Sequence, residues 1–428
     1  MHRSRIWVAS LMVLGTVSGS GRSAAAPAMP ASGVLRATTA SSAGDDSWPM
    51  PGHDPGQSNA NPARGYTPGW AGALHLIWRR PHAIAAAEAD GRFYLIDQAS
   101  DALLLGGSVR AVVPRTGAIV HRYLSPMVRT VSVADGQLYF NRGSEIRIID
   151  AATAAWRSSA TLGAGPSGAP SFQTVVAAGG QLFTMSSTQN IGAAGLYSFA
   201  GRDGRLLWET KDNFASTPAV VGTRLYYGVG LNGIGSAYVR DVRMGRLLQT
   251  RTGFGQSSWH LAGERLYADV LIGPPLAPRR WVIRAYDRTG APRWILNHAS
   301  FLAALPDRVI ALSPDTPETA GLSITRYVGA YRASDGRLLW RTSLPVAGDW
   351  HTAPVALAGR LVAIGLTKRR VGLLDAETGR RVATLVLPQP NQEVCTLIVA
   401  AAMLDVGSST ACMSGTAAQW PTVWAFGP

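Results

Sequence analysis

Short runs in which apolar and polar residues alternate recur along the chain, and a glycine-containing turn opens each run. Six of them read ADGRFYLID (89–97), ADGQLYF (134–140), GGQLFTM (179–185), GTRLYYG (222–228), GERLYAD (263–269) and GRLVAIG (359–365). A tight turn followed by alternation is the pattern of a β-hairpin that enters a half-buried strand. The pattern predicts an all-β protein.

A second pattern interleaves with the first. DGRLLWET (203–210) recurs as DGRLLWRT (335–342) and MGRLLQTR (244–251), and weaker copies are RTGAIVHRYL (115–124), ATAAWRSS (152–159), RTGAPRWIL (288–296) and ETGRRVATL (377–385). The turn glycines Gly204, Gly245, Gly290, Gly336 and Gly379 follow one another at intervals of 41, 45, 46 and 43 residues. Four short strands in roughly 44 residues are the signature of a β-propeller blade.

The units number eight. First strands begin near residues 82, 127, 170, 215, 257, 299, 351 and 394, whereas fourth strands begin near 119, 154, 205, 246, 292, 337 and 380. The missing fourth strand is ALHLIWRR at 73–80, so we expect the N-terminal strand to complete the C-terminal blade and close the ring. The predicted fold is an all-β, eight-bladed β-propeller of four-stranded antiparallel blades.

A tryptophan recurs on the outermost strands, at Trp156, Trp208, Trp294 and Trp340. A large ring at this position can wedge between neighbouring blades and set the angle between them. All four tryptophans are therefore predicted to be structural.

The turn sequences and the outer tryptophan carry a family resemblance. AYDRTGAPRW (285–294), LLDAETG (373–379) and GAYRASDGRLLW (329–340) resemble the PQQ-type propeller repeat, and SWPMPGHDPGQSNANP (47–62) is similar to the leader that often opens such chains. The resemblance covers residues 47–428. The family includes eight-bladed quinoprotein alcohol dehydrogenases and non-catalytic envelope propellers of the BamB kind, so the resemblance implies the fold and leaves the function open.

The N-terminus has the layout of a secretory signal peptide. Two arginines in Met1–Arg5 precede the apolar run IWVASLMVLGTVSG, and small residues follow it, so cleavage is expected near Ala26. The run is short for a membrane span, and an uncleaved anchor is the alternative. Residues 1–26 are thus a predicted signal peptide, 27–46 a flexible leader rich in Ala, Ser and Pro, and 47–428 one propeller domain. We expect a secreted or periplasmic protein whose mature chain has no transmembrane segment.

The amino-acid composition of the chain argues against a nucleic-acid partner. Hydrophobic residues make up 46% of the chain and charged residues 15%, which favours a well-buried globular protein. The net charge of +14 comes almost entirely from scattered arginines. Because nucleic-acid-binding proteins gather positive charge on one face or tail, no nucleic acid is expected as a partner.

Cys395 and Cys412 are the only two cysteines. In an oxidising compartment an even pair more often forms a disulfide than a reactive or metal site. Cys395 falls on the first strand of the last blade and Cys412 after the second, and neighbouring strands can bring two Cα atoms into disulfide range. The predicted bond would staple the blade at which the ring closes.

A catalytic quinoprotein, by the resemblance, should contain a vicinal cysteine pair above the quinone, a tryptophan below it, and Asp, Asn and Glu around a calcium ion. The two cysteines are not adjacent, and no acidic cluster offers converging oxygen ligands for calcium. We therefore expect no catalytic residue, no metal site and no cofactor. PQQ with calcium is expected only under the alternative of a PQQ-dependent dehydrogenase.

Six residues are candidates for the lining of the central channel because they fall near the starts of inner strands, where aromatic faces, His and Arg could hold a planar anionic ligand. They are Arg129, Gln173, Trp259, His260, Trp350 and His351. The alternative is that one member of each Trp-His pair packs between blades while the other caps a turn. Adjacent strand residues point to opposite faces, so at most one of each pair lines a given surface.

The leader contains a further His-Asp pair, His53 and Asp54. An Asp that precedes proline commonly accepts backbone N–H bonds in an Asx turn, so we expect this pair to shape the loop rather than to do chemistry. The leader itself is expected to pack Trp48 across one mouth of the channel or the rim.

The function expected from these observations is that of an exported, non-catalytic propeller that binds another envelope or extracellular protein. Loops carry function in propellers, and the longest insertions are 186–195, 272–280 and 313–323. The alternative is a PQQ-dependent dehydrogenase that oxidises an alcohol or sugar. A third reading is a hydrolase or lyase for polysaccharide.

Overall fold

The computed structural model describes most of the chain from residue 50 onward. The described residues are 50, 53–54, 57–97, 108–125, 128–162, 171–187, 195–212, 216–231, 234–252, 257–272, 280–314, 326–345, 353–367, 369–390, 392–409 and 421–428. The predicted signal peptide (1–26), the flexible leader (27–46) and Trp48 lie outside them. Among the described residues, no helix has the length and apolar character needed to cross a membrane.

Over these residues the chain forms eight sheets, each of which contains the four antiparallel strands of one propeller blade. The first elements are β1 (Ala60–Asn61), α1 (Pro68–Ala73) and β2 (His75–Pro81). Blades 1 and 2 are formed by β3 (Ala83–Ala89), β4 (Arg92–Asp97), β5 (Val109–Val112) and β6 (Ile119–Tyr123), then β7 (Val128–Ala134), β8 (Gln137–Arg142), β9 (Glu145–Asp150) and β10 (Trp156–Thr161). Blades 3 and 4 are formed by β11 (Ser171–Ala178), β12 (Gln181–Ser187), β13 (Gly195–Ala200) and β14 (Leu206–Thr210), then β15 (Ala219–Val221), β16 (Arg224–Leu231), β17 (Ile234–Asp241) and β18 (Leu247–Thr252).

The remaining blades repeat the same order of strands. Blades 5 and 6 are formed by β19 (Ser257–Ala262), β20 (Arg265–Ile272), β21 (Arg280–Asp287) and β22 (Pro292–Asn297), then β23 (Ser300–Leu305), β24 (Arg308–Pro314), β25 (Arg326–Arg332) and β26 (Leu338–Leu344). Blade 7 contains β27 (Val355–Ala358), β28 (Leu361–Leu366), β29 (Arg370–Asp375) and β30 (Arg381–Val386), and blade 8 contains β31 (Glu393–Ala400), β32 (Met403–Ser409) and β33 (Thr422–Gly427).

The N-terminal strand β2 completes blade 8. It pairs antiparallel with β33 and places His75 opposite Gly427 and Pro81 opposite Thr422. The predicted closure of the ring by residues 73–80 is confirmed. Because the two ends of the chain share one sheet, the last blade forms only when the chain has folded around the whole ring.

The core of the molecule lies between successive blades. Every residue of β28, the second strand of blade 7, is buried, whereas every residue of its outermost strand β30 is exposed or half-buried. A twisted four-stranded sheet cannot bury both of its faces alone, so each blade uses its two neighbours as cover.

Tryptophans on the outermost strands lock blades to one another. Each occupies the same place in its blade, donates its indole N–H to a backbone carbonyl of the following blade and packs against a turn glycine there. The four bonds are Trp78 to Pro114 at 2.6 Å, Trp208 to Val242 at 2.9 Å, Trp294 to Ala333 at 2.9 Å and Trp340 to Ala376 at 2.8 Å. The structural role predicted for Trp208, Trp294 and Trp340 is confirmed.

The same prediction is wrong for Trp156, whose side chain is 64% exposed. Trp208, Trp294 and Trp340 each stand four residues after a turn glycine. Blade 2 instead has Ala154 at the turn and Ser158 at the locking position. Trp156 comes two residues too early and points outward, where the Arg147 guanidinium lies 5.6 Å from its ring. A shift of two positions along the twisted outer strand has separated this ring from the neighbouring blade.

Candidate functional site

A cavity of about 470 Å³ lies on the axis of the ring. Inner strands of blades 1, 2, 5, 6, 7 and 8 line it, mostly near the positions at which these strands begin. Most of the lining side chains are apolar. The polar residues of the lining are Asn59, Thr130, Ser258, His260, Asp269 and Thr396.

Residues 57–61, at the end of the stretch 47–62, cover the mouth of the channel at which the inner strands end. β1 pairs in parallel with β27 as a fifth strand on the axial side of blade 7. The Asn59 side chain donates to the Leu302 carbonyl in blade 6, and the Asn61 side chain donates to the Val399 carbonyl in blade 8, both at 2.8 Å. Residues 57–61 thus lie across one mouth, whereas the packing predicted for Trp48 falls outside the described residues.

Asp54 shapes the turn at the start of this segment, as predicted. Its carboxylate accepts hydrogen bonds from the backbone N–H of Ser58 at 3.2 Å and from the Ser58 hydroxyl at 2.5 Å. His53 Nδ1 lies 3.3 Å from the same carboxylate. The pair fixes the loop that enters the channel mouth.

His260 joins blade 5 to the leader. Its Nδ1 lies 2.7 Å from the carbonyl oxygen of Gln57, and its ring stacks on Phe301 with 3.9 Å between centroids. Burial lowers the pKa of His260 to about 4, although the Gln57 carbonyl and the charge of Asp54 act in the opposite direction. The imidazole is therefore neutral at pH 7, with its proton on Nδ1 because the carbonyl can only accept.

The channel placement considered for Trp259 is corrected by the structure. Trp259 is 1% exposed and packs between Tyr226 of blade 4 and Tyr286 of its own blade, with ring centroids 5.7 and 5.8 Å away. Because neighbouring strand residues alternate, the side chain of Trp259 points away from the cavity that His260 lines. For this pair, the alternative of one residue packed between blades is correct.

Asp269 is the residue of the cavity that the sequence did not single out. It ends the run GERLYAD inside a strand, whereas most other carboxylates stand in turns. Burial raises the pKa of Asp269 to about 8, against the hydrogen bonds from Ser300 and the Phe301 backbone. Ser300 donates its hydroxyl to Oδ2 at 3.1 Å, and Oδ1 has no hydrogen-bond partner among the described residues.

A comparison with blade 2 shows what the position does elsewhere. Asn141 occupies the same place as Asp269, three residues after the leucine of the run QLYFN. Its amide accepts from the backbone of Thr130 at 2.9 Å and donates to the Phe172 carbonyl at 2.8 Å. The Asn141 amide uses both its oxygen and its nitrogen in hydrogen bonds, whereas the carboxyl of Asp269 has one buried oxygen without a hydrogen-bond partner among the described residues. An Asp in place of Asn was the signal available in the sequence.

The other candidates fall largely outside the described residues. Trp350 and His351 lie outside them, and so do the side chains of Arg129 and Gln173. Most of each long insertion (188–194, 273–279 and 315–325) is also outside.

Cys395 lies on β31, at the β-bulge where the pairing with β32 shifts between Val394 and Thr396. Cys412 lies outside the described residues, so the disulfide stays a prediction.

The disulfide can be tested by mass spectrometry. We expect alkylation of the unreduced, denatured protein to add no alkyl group. Replacing Cys412 by Ser should lower the free energy of unfolding by about 3 kcal/mol, the entropic value for a short loop. Two alkyl groups on the unreduced wild type would contradict the bond.

A second concave surface lies on the outer rim between blades 4 and 5. Blade 4 has Gln249 at the position of the locking tryptophan, and Arg251 takes over the contact with blade 5. Arg251 donates to the Gly290 carbonyl at 2.6 Å, and its guanidinium lies 4.8 Å from the ring of Tyr286. The slender side chain leaves a groove of about 330 Å³, which we call the rim groove. Its lining includes Arg251, Arg284, Tyr286, Trp294 and Ile295.

Comparison with known proteins supports the reading of the repeats. A family model described as outer membrane protein assembly factor BamB matches residues 279–414. The structure of BamB from Moraxella catarrhalis superposes with a TM-score of 0.55 and 18% identity, over 82% of this chain and 99% of that one. The chain is an eight-bladed propeller, and residues 279–414 match this family model.

Other solved PQQ-like propellers are enzymes. A quinohemoprotein alcohol dehydrogenase from Pseudomonas putida HK5 gives a TM-score of 0.61 at 12% identity, over 90% of this chain and 80% of that one. A europium-containing methanol dehydrogenase gives 0.62 at 9% identity, over 90% and 98%. A search of curated protein sequences finds no match. At these identities the likeness concerns the fold, so the activity of this PQQ-like propeller has to be argued from its own residues.

The described residues do not fit PQQ and calcium. Among them, no group of three or more His, Cys, Asp or Glu side chains is placed to hold a metal ion. No arginine or lysine is among the described residues that line the cavity, so nothing there would neutralise the carboxylates of the quinone.

Proposed function

We propose that this protein is an exported, non-catalytic propeller scaffold that binds another envelope or extracellular protein through its rim groove. The observation that carries the proposal is the exposed Ile295 side chain, which lies beside the half-buried Arg251, Arg284 and Trp294 between blades 4 and 5.

The rim groove has the composition of a protein-binding surface. Ile295 is 57% exposed beside Arg251 and Trp294. Arginine and tryptophan are enriched among the residues that dominate binding energy at protein interfaces. Apolar surface of this kind in a soluble protein commonly marks an interaction site.

The strand next to the groove extends the surface. Most residues of β18 are exposed, and Leu247 and Leu248 are 44% and 42% exposed. Met244, in the turn before β18, is 65% exposed. The apolar side chains therefore continue from the groove along the outer edge of blade 4, where a partner segment can lie.

Charge indicates the kind of partner. The chain carries a net charge of +14, and Arg251 and Arg284 both line the groove. An acidic segment with an apolar side chain would pair its carboxylates with the guanidinium groups and place the apolar group against Ile295. The overall positive charge would also speed the encounter with such a partner.

The comparisons agree with this proposal in one respect. The matching family model is that of an assembly factor, BamB.

A photo-crosslinking amino acid at Ile295 tests the site in the source organism. We expect one discrete adduct from Ile295 and none from Val386, which is 51% exposed on the outermost strand of blade 7. With the partner purified, Ile295→Asp should weaken binding at least about tenfold, as loss of a central contact does, and Val386→Asp should leave the Kd within about twofold. Equal adducts or equal losses at the two positions would show that the groove is not the site.

The alternative, a PQQ-dependent dehydrogenase acting on an alcohol or sugar, has its own test. Purified protein from residue 27 onward would be titrated with PQQ and calcium by calorimetry, followed by a dye-linked oxidation assay. We expect no stoichiometric heat and no dye reduction. Tight binding with dye reduction would replace the scaffold proposal and lead to variants of Arg129 and Trp350.

A further inference from the structure

We propose that the cavity on the propeller axis is a binding site for a small primary ammonium compound with an apolar tail, held through the carboxyl group of Asp269. This site is separate from the rim groove, and the inference does not depend on the proposed scaffold function.

Asp269 is part of the cavity lining. It stands on β20 directly opposite Ser258 on β19, and both residues line the cavity. Ser300 of blade 6 holds Oδ2 with a 3.1 Å hydrogen bond. Oδ1 is buried and has no hydrogen-bond partner among the described residues. A buried polar atom without a partner costs free energy, so a ligand that donates a hydrogen bond to it is favoured.

The polar neighbours of Asp269 are acceptors. His260 donates through Nδ1 to the Gln57 carbonyl, so Nε2 is the acceptor of the neutral ring. The Ser258 hydroxyl can accept as well. A primary ammonium group has three N–H donors, which matches a carboxylate, an imidazole nitrogen and a hydroxyl on one wall of the cavity.

The rest of the lining suits an apolar tail. Ile84, Leu302, Val355 and Ile398 line the cavity from blades 1, 6, 7 and 8. The volume of about 470 Å³ lies within the range of small-molecule sites in proteins. Burial of the alkyl chain against these side chains adds a hydrophobic contribution to the ionic one.

Within the described part of the chain, the strands next to β20 contribute no cationic side chain to the cavity lining. β19 contributes the neutral His260, β21 places Ile283 opposite Asp269, and β23 contributes Ser300. No arginine or lysine occurs among the described lining residues. The pKa of Asp269 is raised to about 8 by burial, so at neutral pH the carboxyl is mostly protonated and an ammonium ligand displaces that proton.

Calorimetric titration with n-hexylammonium chloride tests the site. We expect one binding site per chain and an affinity that rises about tenfold per pH unit from pH 6 to 7.5 and levels off above pH 8. Titrations at pH 6.5 in two buffers of different ionisation enthalpy should show release of about one proton per ligand bound. Asp269→Asn should weaken the binding at least about tenfold and abolish the proton release.

Two controls keep the inference open to refutation. The neutral probe 1-hexanol should bind more weakly than n-hexylammonium to the wild type and release no proton. Asp405→Asn removes another buried carboxyl that is not part of the cavity lining, and it should leave hexylammonium binding unchanged. Absence of hexylammonium binding, equal affinity for the alcohol, or unchanged binding by Asp269→Asn would overturn the site. If Asp269→Asn does not fold, the wild-type protein alone tests the site: binding of hexylammonium without release of a proton would overturn it.

Discussion

Trp340→Ala lowers the free energy of unfolding by about 3–5 kcal/mol, the cost typical of truncating a buried tryptophan. Trp340 is 8% exposed and lies between blades 6 and 7, where its indole N–H bonds to the Ala376 carbonyl at 2.8 Å. Its ring covers Gly379, whose φ is +70° and at which a Cβ would overlap the indole. Removal of the ring leaves a void between two blades, and the Ala376 carbonyl keeps only its hydrogen bond from Arg308 at 2.6 Å.

Trp156→Ala is the matched control for this prediction. Trp156 is also a tryptophan of an outermost strand but is 64% exposed, so its replacement should change stability by less than about 0.5 kcal/mol. Urea unfolding followed by far-UV circular dichroism measures both variants without relying on tryptophan fluorescence. Similar losses for Trp340→Ala and Trp156→Ala would refute the lock between blades.

Asp405→Asn raises the stability of the protein, and the gain grows with pH. Asp405 is the third residue of β32, a place taken by Tyr94, Tyr139 and Tyr267 in blades 1, 2 and 5. Its side chain is fully buried, and neither carboxyl oxygen has a hydrogen-bond partner among the described residues. Burial raises the pKa of Asp405 well above its usual range, and the nearby charge of Glu88 raises it further.

The sign of the pH effect follows from proton linkage. Between the ordinary Asp pKa near 4 and the raised folded pKa, folded protein retains a proton that unfolded protein has lost. Stability therefore falls with rising pH, by about 1.4 kcal/mol per unit for one such group. Asp269 adds a similar decline up to its pKa of about 8. Asp405→Asn should remove one of the two contributions and change little near pH 4.

Unfolding midpoints of wild type, Asp405→Asn and Asp269→Asn between pH 4 and pH 9 test this. Each variant should show a shallower decline of stability with pH than the wild type. A wild-type stability that rises from pH 5 to pH 8, or parallel curves for all three proteins, would show that these carboxyl groups do not titrate as described.

The number of blades and their order followed from local features of the sequence. Alternation of apolar and polar residues specifies a strand, and a glycine turn marks its end, within about ten residues of chain. The regular interval between Gly204 and Gly379 then counts the units, and the strand at 73–80 supplies the missing one. These features need no knowledge of which blade touches which.

The locks between blades were predictable only in part. A tryptophan four residues after a turn glycine locks the next blade, as Trp208, Trp294 and Trp340 do. Trp156 looks similar in sequence but misses this position by two residues. The distinction depends on which residue of the outermost strand lies against the turn of the next blade. That position is fixed by the packing of two blades and is not visible in the sequence of one strand.

The sequence by itself determined the all-β propeller, its eight blades and the closure of its ring, because these depend on periodicity along the chain. The tertiary structure alone decided which groups meet on the axis and on the rim. His260 contacts Gln57, which is 203 positions away in sequence, and Asn61 contacts Val399, which is 338 positions away. Arg251 makes the contact between blades 4 and 5 that a tryptophan makes between other blades. Burial and electrostatics of Asp269 and Asp405 arise from such distant neighbours. The residue pattern of one strand does not predict which side chains of the neighbouring blade will pack against it.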